Sequence, residues 1–288
     1  MTTSSPEIPA VPAKVWWDGQ LVEEGTAMVP TASQGWLWGR GLFETLSVRQ
    51  GQAFALTRHL ARLHAGAARL GLELPDDDTL RTAIAAVLAG CPPELHRLRL
   101  TLTGRESPGL TLAPGPGHLL IRLAPATVAA PDSTLLIVPW RRNEFSPLSG
   151  IKSTSYAENA IALAWARDRG ATEALFLNTA GDLCEGAVSN LFLVHSGSVL
   201  TPAAGSGGLP GITRGLVVEL CAHLGLRCLE KALTPADLVP ADEVFLTNSL
   251  CGILPVRTVD HHAFDAPGPI TAQLSAALLE LRERLPDP

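Results

Sequence analysis

Lysine is scarce in this chain. Its 288 residues include 22 basic side chains, of which only Lys14, Lys152 and Lys231 are lysines. The rest are arginines, whose guanidinium stays protonated and cannot serve as an amine nucleophile. A chain so biased toward Arg keeps each Lys for a reason. Lys14 ends a Pro- and Ser-containing stretch. Lys231 stands beside Glu230 at the end of a strand pattern, where a solvated charge is account enough. Lys152 has no such account.

Other shortages exclude whole classes. The five cysteines form no C-x-x-C pair and are odd in number. That argues against a disulfide framework and a zinc site, and fits a reducing cytoplasm. There is no Lys/Arg block and the net charge is -6, which disfavours nucleic acid and anionic membranes as partners. No apolar run reaches the ~18 residues of a membrane span. Residues 1–14 lack the apolar centre of a signal peptide and read as a flexible tail. With 46% hydrophobic and 17% charged residues, the chain has ample material for packed cores.

Periodicity predicts a mixed α/β (α+β) chain of two domains. VWWDGQLV reads as a strand entering a turn. GLFETLSVRQGQAFAL reads as a hairpin turning at Arg49–Gln52. TRHLARLHAGAARLGL has helical spacing with Thr57 as N-cap, and a second helix follows over about 78–88. LRLTLTG, HLLIRLAPA and TLLIVPW read as strands. The pattern weakens over 127–150, which places an N-terminal α/β domain at 15–130, a linker at 131–149 and a C-terminal domain at 150–288. In the latter, SYAENAIALAWARDRG is a helix ending at Gly170. A strand meander, a helix at GITRGLVVELCAHLGL, a strand–turn–strand at DEVFLTNSLCGILPVRTVD and a helix over 269–284 complete it.

Several short segments combine chemistry with an unusual setting. Lys152 precedes Tyr156, the single tyrosine, by four residues. A helix starting near Ser153 would bring amine and phenol to one face; the plain alternative is a surface Lys and a half-buried Tyr. GLPGITRG is a glycine-rich turn feeding a helix, so the Ile212 and Thr213 amides are open to an anion, although many helices start so without a ligand. CEGAVSN sets Glu185 and small polar residues into an apolar region, as a solvated turn also would. TNSL lodges a polar turn between two apolar strands. Arg58 starts the first long helix.

Taken together and in order, these segments resemble the class IV aminotransferases, pyridoxal 5'-phosphate (PLP) enzymes of fold type IV with the D-amino acid aminotransferase-like two-domain architecture. The resemblance runs over roughly residues 15–280. It rests on GLFETL (41–46), RHLARL (58–63), GIKSTSY (150–156), EGAVSNLF (185–192), LPGITR (209–214) and TNSLCGILPV (247–256). It implies that Lys152 is the Schiff-base lysine and proton shuttle. It gives Glu185 the pyridine nitrogen and Tyr156 the ring oxygen. Arg58, the Ile212 and Thr213 amides and the Ser249 hydroxyl would bind the phosphate. It also implies a cleft between the domains, and a homodimer.

The same resemblance leaves several activities open. TNSL, with Asn248, and Phe43-Glu44-Thr45 resemble the 4-amino-4-deoxychorismate lyase branch, in which Thr45 would handle a proton at the substrate. That branch makes 4-aminobenzoate for folate synthesis. Asn248, Phe43 and Arg105 are then the substrate-side candidates, with Arg105 a carboxylate clamp. Relatives often carry Thr-Arg-Gly where this chain has Thr103-Gly104-Arg105. An aminotransferase for D-amino or branched-chain amino acids with 2-oxoglutarate is the alternative. A non-catalytic partner on the same scaffold would be expected to lack Lys152 or Glu185. Trp36 and Trp38 receive no role from the motifs.

Overall fold

The computed structural model describes residues 14–107, 109–112, 114–127 and 132–288. The expected tail, except for Lys14, lies outside the described residues. The mixed α/β reading holds. The first unit contains β1 (Lys14–Trp17), β2 (Gln20–Glu23), α1 (Gln34–Trp38), β3 (Gly41–Arg49), β4 (Gln52–Ala53), α2 (Leu56–Leu70), β5 (Leu72–Glu73), α3 (Asp77–Leu88), β6 (His96–Gly104) and β7 (Gly115–Pro125). Its strands pair in the order β2-β1-β7-β6-β3-β4, and β5 joins β7. One face packs on α2 and α3 through Leu42, Leu46, Leu60, Leu63 and Ile84. Each such side chain removed from water contributes roughly 1.5–3 kcal/mol.

The second unit contains β8 (Ser133–Arg142), α4 (Ala157–Arg167), β9 (Glu173–Asn178), β10 (Leu183–Gly186), β11 (Asn190–His195) and β12 (Ser198–Pro202). α5 (Ile212–His223), β13 (Cys228–Lys231), β14 (Glu243–Asn248), β15 (Gly252–Val259), β16 (His262–Ala263) and α6 (Pro269–Arg284) follow. The strand order is β10-β9-β8-β15-β14-β11-β12-β13, with β16 on β15. β8 lies inside the stretch 131–149 read as a linker, and it pairs in parallel with both β9 and β15. The expected meander is interrupted: β10 pairs with β9, whereas β11 pairs with β12 and β14. The break at Ala187–Ser189 becomes part of the site described below. Among the described residues no helix is long and apolar enough to cross a membrane.

Two local expectations need correction. α2 starts at Leu56, so Thr57 is inside the helix and Ala55 occupies the cap without a side-chain bond. The cap comes instead from the far end of the chain. Asp287 accepts from Thr57 N at 2.8 Å and pairs with Thr57 Oγ1 at 2.5 Å, and Ala55 N donates to Pro286 O at 2.7 Å. A carboxylate over a helix start satisfies an otherwise open N–H. Asp287→Ala is therefore expected to lower stability by about 1 kcal/mol, a fall of a few degrees in Tm by calorimetry, while Asp287→Asn keeps most of it. An unchanged Tm in the alanine variant would show that this contact contributes nothing.

The second correction concerns Lys152 and Tyr156. Helix α4 begins at Ala157, not near Ser153. Residues 152–154 are extended and lie along β3: Phe43 N donates to Lys152 O at 2.9 Å and Thr154 N to Gly41 O at 2.8 Å. A Cβ on Gly41 would sit 2.8 Å from Leu102 O and 2.7 Å from Thr154 Oγ1, so glycine permits this close approach.

Candidate active site

A cavity of about 490 Å³ opens where the two units meet. Strand alternation supplies its first wall. Phe43 and Thr45 on β3, and Arg97 and Arg99 on β6, are two apart and point the same way. Arg62 of α2 joins them. The second unit contributes Lys152, Tyr156, Glu185, the α5 start and the β14–β15 turn.

The structure thus brings together most of the residues singled out in the sequence. Lys152 Nζ lies 4.3 Å from the centre of the Phe43 ring and 5.4 Å from that of Tyr156, and those two rings meet edge to face. Burial, followed by the charge of Arg62, lowers the Lys152 amine to about 8. An amine in this state is partly neutral near pH 7, as a nucleophile or base requires. In reductive methylation read peptide by peptide, the Lys152 rate should rise about tenfold per pH unit and level off above pH 8. A rate still climbing steeply at pH 10 would contradict this environment. Burial also raises the Tyr156 phenol, keeping it protonated.

Glu185 is buried on β10. Its Oε2 accepts from Leu209 N at 2.7 Å, and its Oε1 is 3.4 Å from Arg142 Nε. Burial raises its pKa, and Arg142 opposes that shift. The adjacent turn hangs on a second carboxylate. Glu173 accepts from the amides of Ala187 and Val188 and from Ser189 Oγ. Asn190 Nδ2 donates to Leu209 O at 2.8 Å. Its Oδ1 is 1.9 Å from where a Gly211 Cβ would lie, so this loop needs glycine. Gly211 caps α5 without a side-chain bond, which leaves the Ile212 and Thr213 amides open to the cavity.

The polar turn between β14 and β15 closes the cavity floor. Asn248 Oδ1 accepts from Leu250 N and Cys251 N, at 3.0 and 2.8 Å, so its carbonyl is committed to the turn and its Nδ2 is the free end. Ser249 Oγ is 3.4 Å from His59 Nε2. Thr247 is 1% exposed and its hydroxyl has no partner among the described residues.

Two expected residues stand elsewhere. Arg58 pairs with Glu219 at 2.6 Å and donates to Pro288 O at 2.8 Å. One helical turn on, Arg62 occupies the cavity instead. Residues four apart share a helix face, but only Arg58 was singled out from the sequence; Glu219 and the C-terminal Pro288 engage it. Arg105 lies beyond the end of β6 and pairs with Asp18 at 3.2 Å. Besides Arg62, the cavity arginines are Arg97, Arg99 and, from α4, Arg167; two-residue spacing along β6, which begins two residues before the LRLTLTG segment, was the signal for Arg97 and Arg99. Trp36 is 73% exposed. Trp38 lines a neighbouring cavity that shares Glu185.

Comparison with known proteins gives a consistent picture. The family model described as amino-transferase class IV matches residues 41–259. A D-alanine aminotransferase of Bacillus licheniformis is 28% identical, over 92% of this chain and 95% of its own. The solved branched-chain aminotransferase of Thermoproteus uzoniensis superposes with a TM-score of 0.86 at 30% identity, covering 93% of this chain and 94% of its own. A candidate 4-amino-4-deoxychorismate lyase of Legionella pneumophila superposes with a TM-score of 0.85 at 30% identity, covering 89% and 96%.

Proposed function

Because the chain belongs to the class IV aminotransferase family, whose cofactor is PLP, we propose that it is a 4-amino-4-deoxychorismate lyase. It splits that substrate into 4-aminobenzoate and pyruvate, and no second keto acid is consumed. The observation that carries this choice is the arginine wall. Arg97, Arg99 and Arg167 face one cavity and have no carboxylate partner among the described residues. Like charges so placed repel, and burial, followed by the charge of Arg97, lowers the pKa of Arg99. A substrate with two carboxylates relieves that repulsion and fills the guanidinium forks. Alanine and leucine bring one carboxylate and an apolar side chain, so in the aminotransferase reading only 2-oxoglutarate would occupy more than one of these arginines.

The residues present fit the cofactor. Its phosphate needs fixed donors. The α5 amides, the Ser249 hydroxyl, the Thr247 hydroxyl, which has no partner among the described residues, and Arg62 would supply them. Arg62 takes the role expected of Arg58. Glu185 would face the ring nitrogen, Tyr156 the ring oxygen, and Lys152 would hold the aldehyde carbon. When bound, PLP supplies an electron sink for breaking bonds next to the substrate amine.

The protein's own part is positioning and proton transfer. The arginine wall and Asn248 orient the substrate carboxylates. Phe43 stacks under Arg99 at 3.9 Å and holds that guanidinium flat. Lys152 Nζ accepts the proton lost from the substrate ring as it becomes aromatic. The Thr45 hydroxyl, on the same wall, delivers a proton to the departing three-carbon unit. We also propose a homodimer, which light scattering would read as twice the chain mass.

The second reading is an aminotransferase for D-amino or branched-chain amino acids. It is favoured by the names of relatives, a D-alanine and a branched-chain aminotransferase among them, and it would use the same Lys152 and Glu185. The deciding experiment supplies 4-amino-4-deoxychorismate without a keto acid. Formation of 4-aminobenzoate and pyruvate in equal amounts supports the lyase. No product, together with activity on D-alanine or L-leucine plus 2-oxoglutarate, replaces it with the aminotransferase.

A further inference from the structure

We propose that Glu44 is the positioning residue that assembles the phosphate-binding wall from both units of the chain. The inference rests on the cofactor assignment above. Glu44 lies on β3 between Phe43 and Thr45, so its side chain points to the opposite face, toward α2. It is 1% exposed. Its Oε1 accepts from Arg62 Nε at 2.8 Å and its Oε2 from Arg62 Nη2 at 2.7 Å. Oε2 also meets His59 Nδ1 at 2.7 Å.

Each partner reaches into the second unit. Arg62 Nη1 donates to Pro210 O at 2.9 Å, and Pro210 immediately precedes the α5 start. Arg62 has five N–H donors, and three of them are committed to Glu44 and Pro210. Two therefore remain for an anion, in a fork whose direction Glu44 fixes. The second arm runs through His59. An ionised Glu44 only accepts, so His59 Nδ1 carries a proton and Nε2 is the atom facing Ser249 Oγ at 3.4 Å. One carboxylate thus sets a guanidinium against the α5 amides and an imidazole against the β14–β15 turn.

Fold stability alone is a poor explanation for this cluster. A buried ionised network costs desolvation, and apolar replacements of similar size often serve a fold as well or better. Its components instead converge on the donors that a phosphate requires.

The test compares pyridoxamine 5'-phosphate with pyridoxamine. They differ only in the phosphate, and neither carries an aldehyde to react with Lys152. Binding to the cofactor-free full chain is followed by calorimetry. In Glu44→Gln, affinity for pyridoxamine 5'-phosphate should fall at least about tenfold, with pyridoxamine affinity changing less than about twofold. His59→Phe, which leaves Arg62 held by Glu44, should show a smaller loss confined to the phosphorylated ligand. Equal losses for both ligands, or none in either variant, would overturn the role of Glu44. Should Glu44→Gln fail to fold, the His59→Phe result alone decides. A wild-type protein that does not distinguish the two ligands would overturn the cofactor assignment itself, a separate failure.

Discussion

Replacing Lys152 with alanine should abolish the visible absorbance of the cofactor-loaded protein and lower turnover by about 10⁴-fold, the upper range for positioned proton transfer. No other amine can stand in. Lys14 is exposed on the first strand, and Lys231 is half exposed and paired with Asp237 at 3.5 Å. The cavity's other cations are guanidiniums, which do not give up a proton. Folding should survive, because the substitution removes a charge from a site where burial already disfavours it. Retained colour and turnover would mean that another group carries the chemistry.

The second large effect is expected at Glu185. Glu185→Gln keeps the side-chain shape and still accepts from Leu209 N, which the carboxylate does at 2.7 Å. What it loses, on the proposed reading, is the negative charge that would stand opposite the ring nitrogen. Turnover should fall by about 10²–10³-fold, the scale set by loss of one preorganised electrostatic contact at a reacting centre. The cofactor should still bind, since the phosphate wall is untouched. Two measurements separate the cases: bound cofactor by absorbance, and turnover under saturation. A variant with turnover within threefold of the parent would remove Glu185 from the mechanism. One that binds no cofactor would make its role structural, as the anchor of the Leu209 loop.

Much of this site was legible in the sequence because it is written locally. The lysine shortage singled out Lys152, and the small polar run around Glu185 interrupts an apolar pattern that otherwise continues. The glycine loop before Ile212 signalled an open helix start, and the structure has that loop and that start. Helix α6 was bounded correctly because Gly268-Pro269 marks its entry and its periodicity is unbroken. What failed depended on distant contacts. Arg58 and Arg62 are equivalent by helical spacing, and the choice is made by Glu219 and Pro288, 161 and 230 residues away. Lys152 and Tyr156 do meet, but through an extended segment bonded to β3 rather than a shared helical turn. Arg105 was chosen by its place in a motif, whereas strand alternation selects Arg97 and Arg99. Glu44 and His59 carry no signal of their own, since a buried carboxylate is known only by the partners that surround it.

The central claim is that one lysine of three holds the cofactor. Borohydride reduction of the PLP-loaded protein fixes the cofactor to its amine, and peptide mapping then identifies the residue. The account predicts the pyridoxyl group on Lys152 alone, in near-stoichiometric yield. Modification of Lys14 or Lys231 instead, or of none, would contradict it.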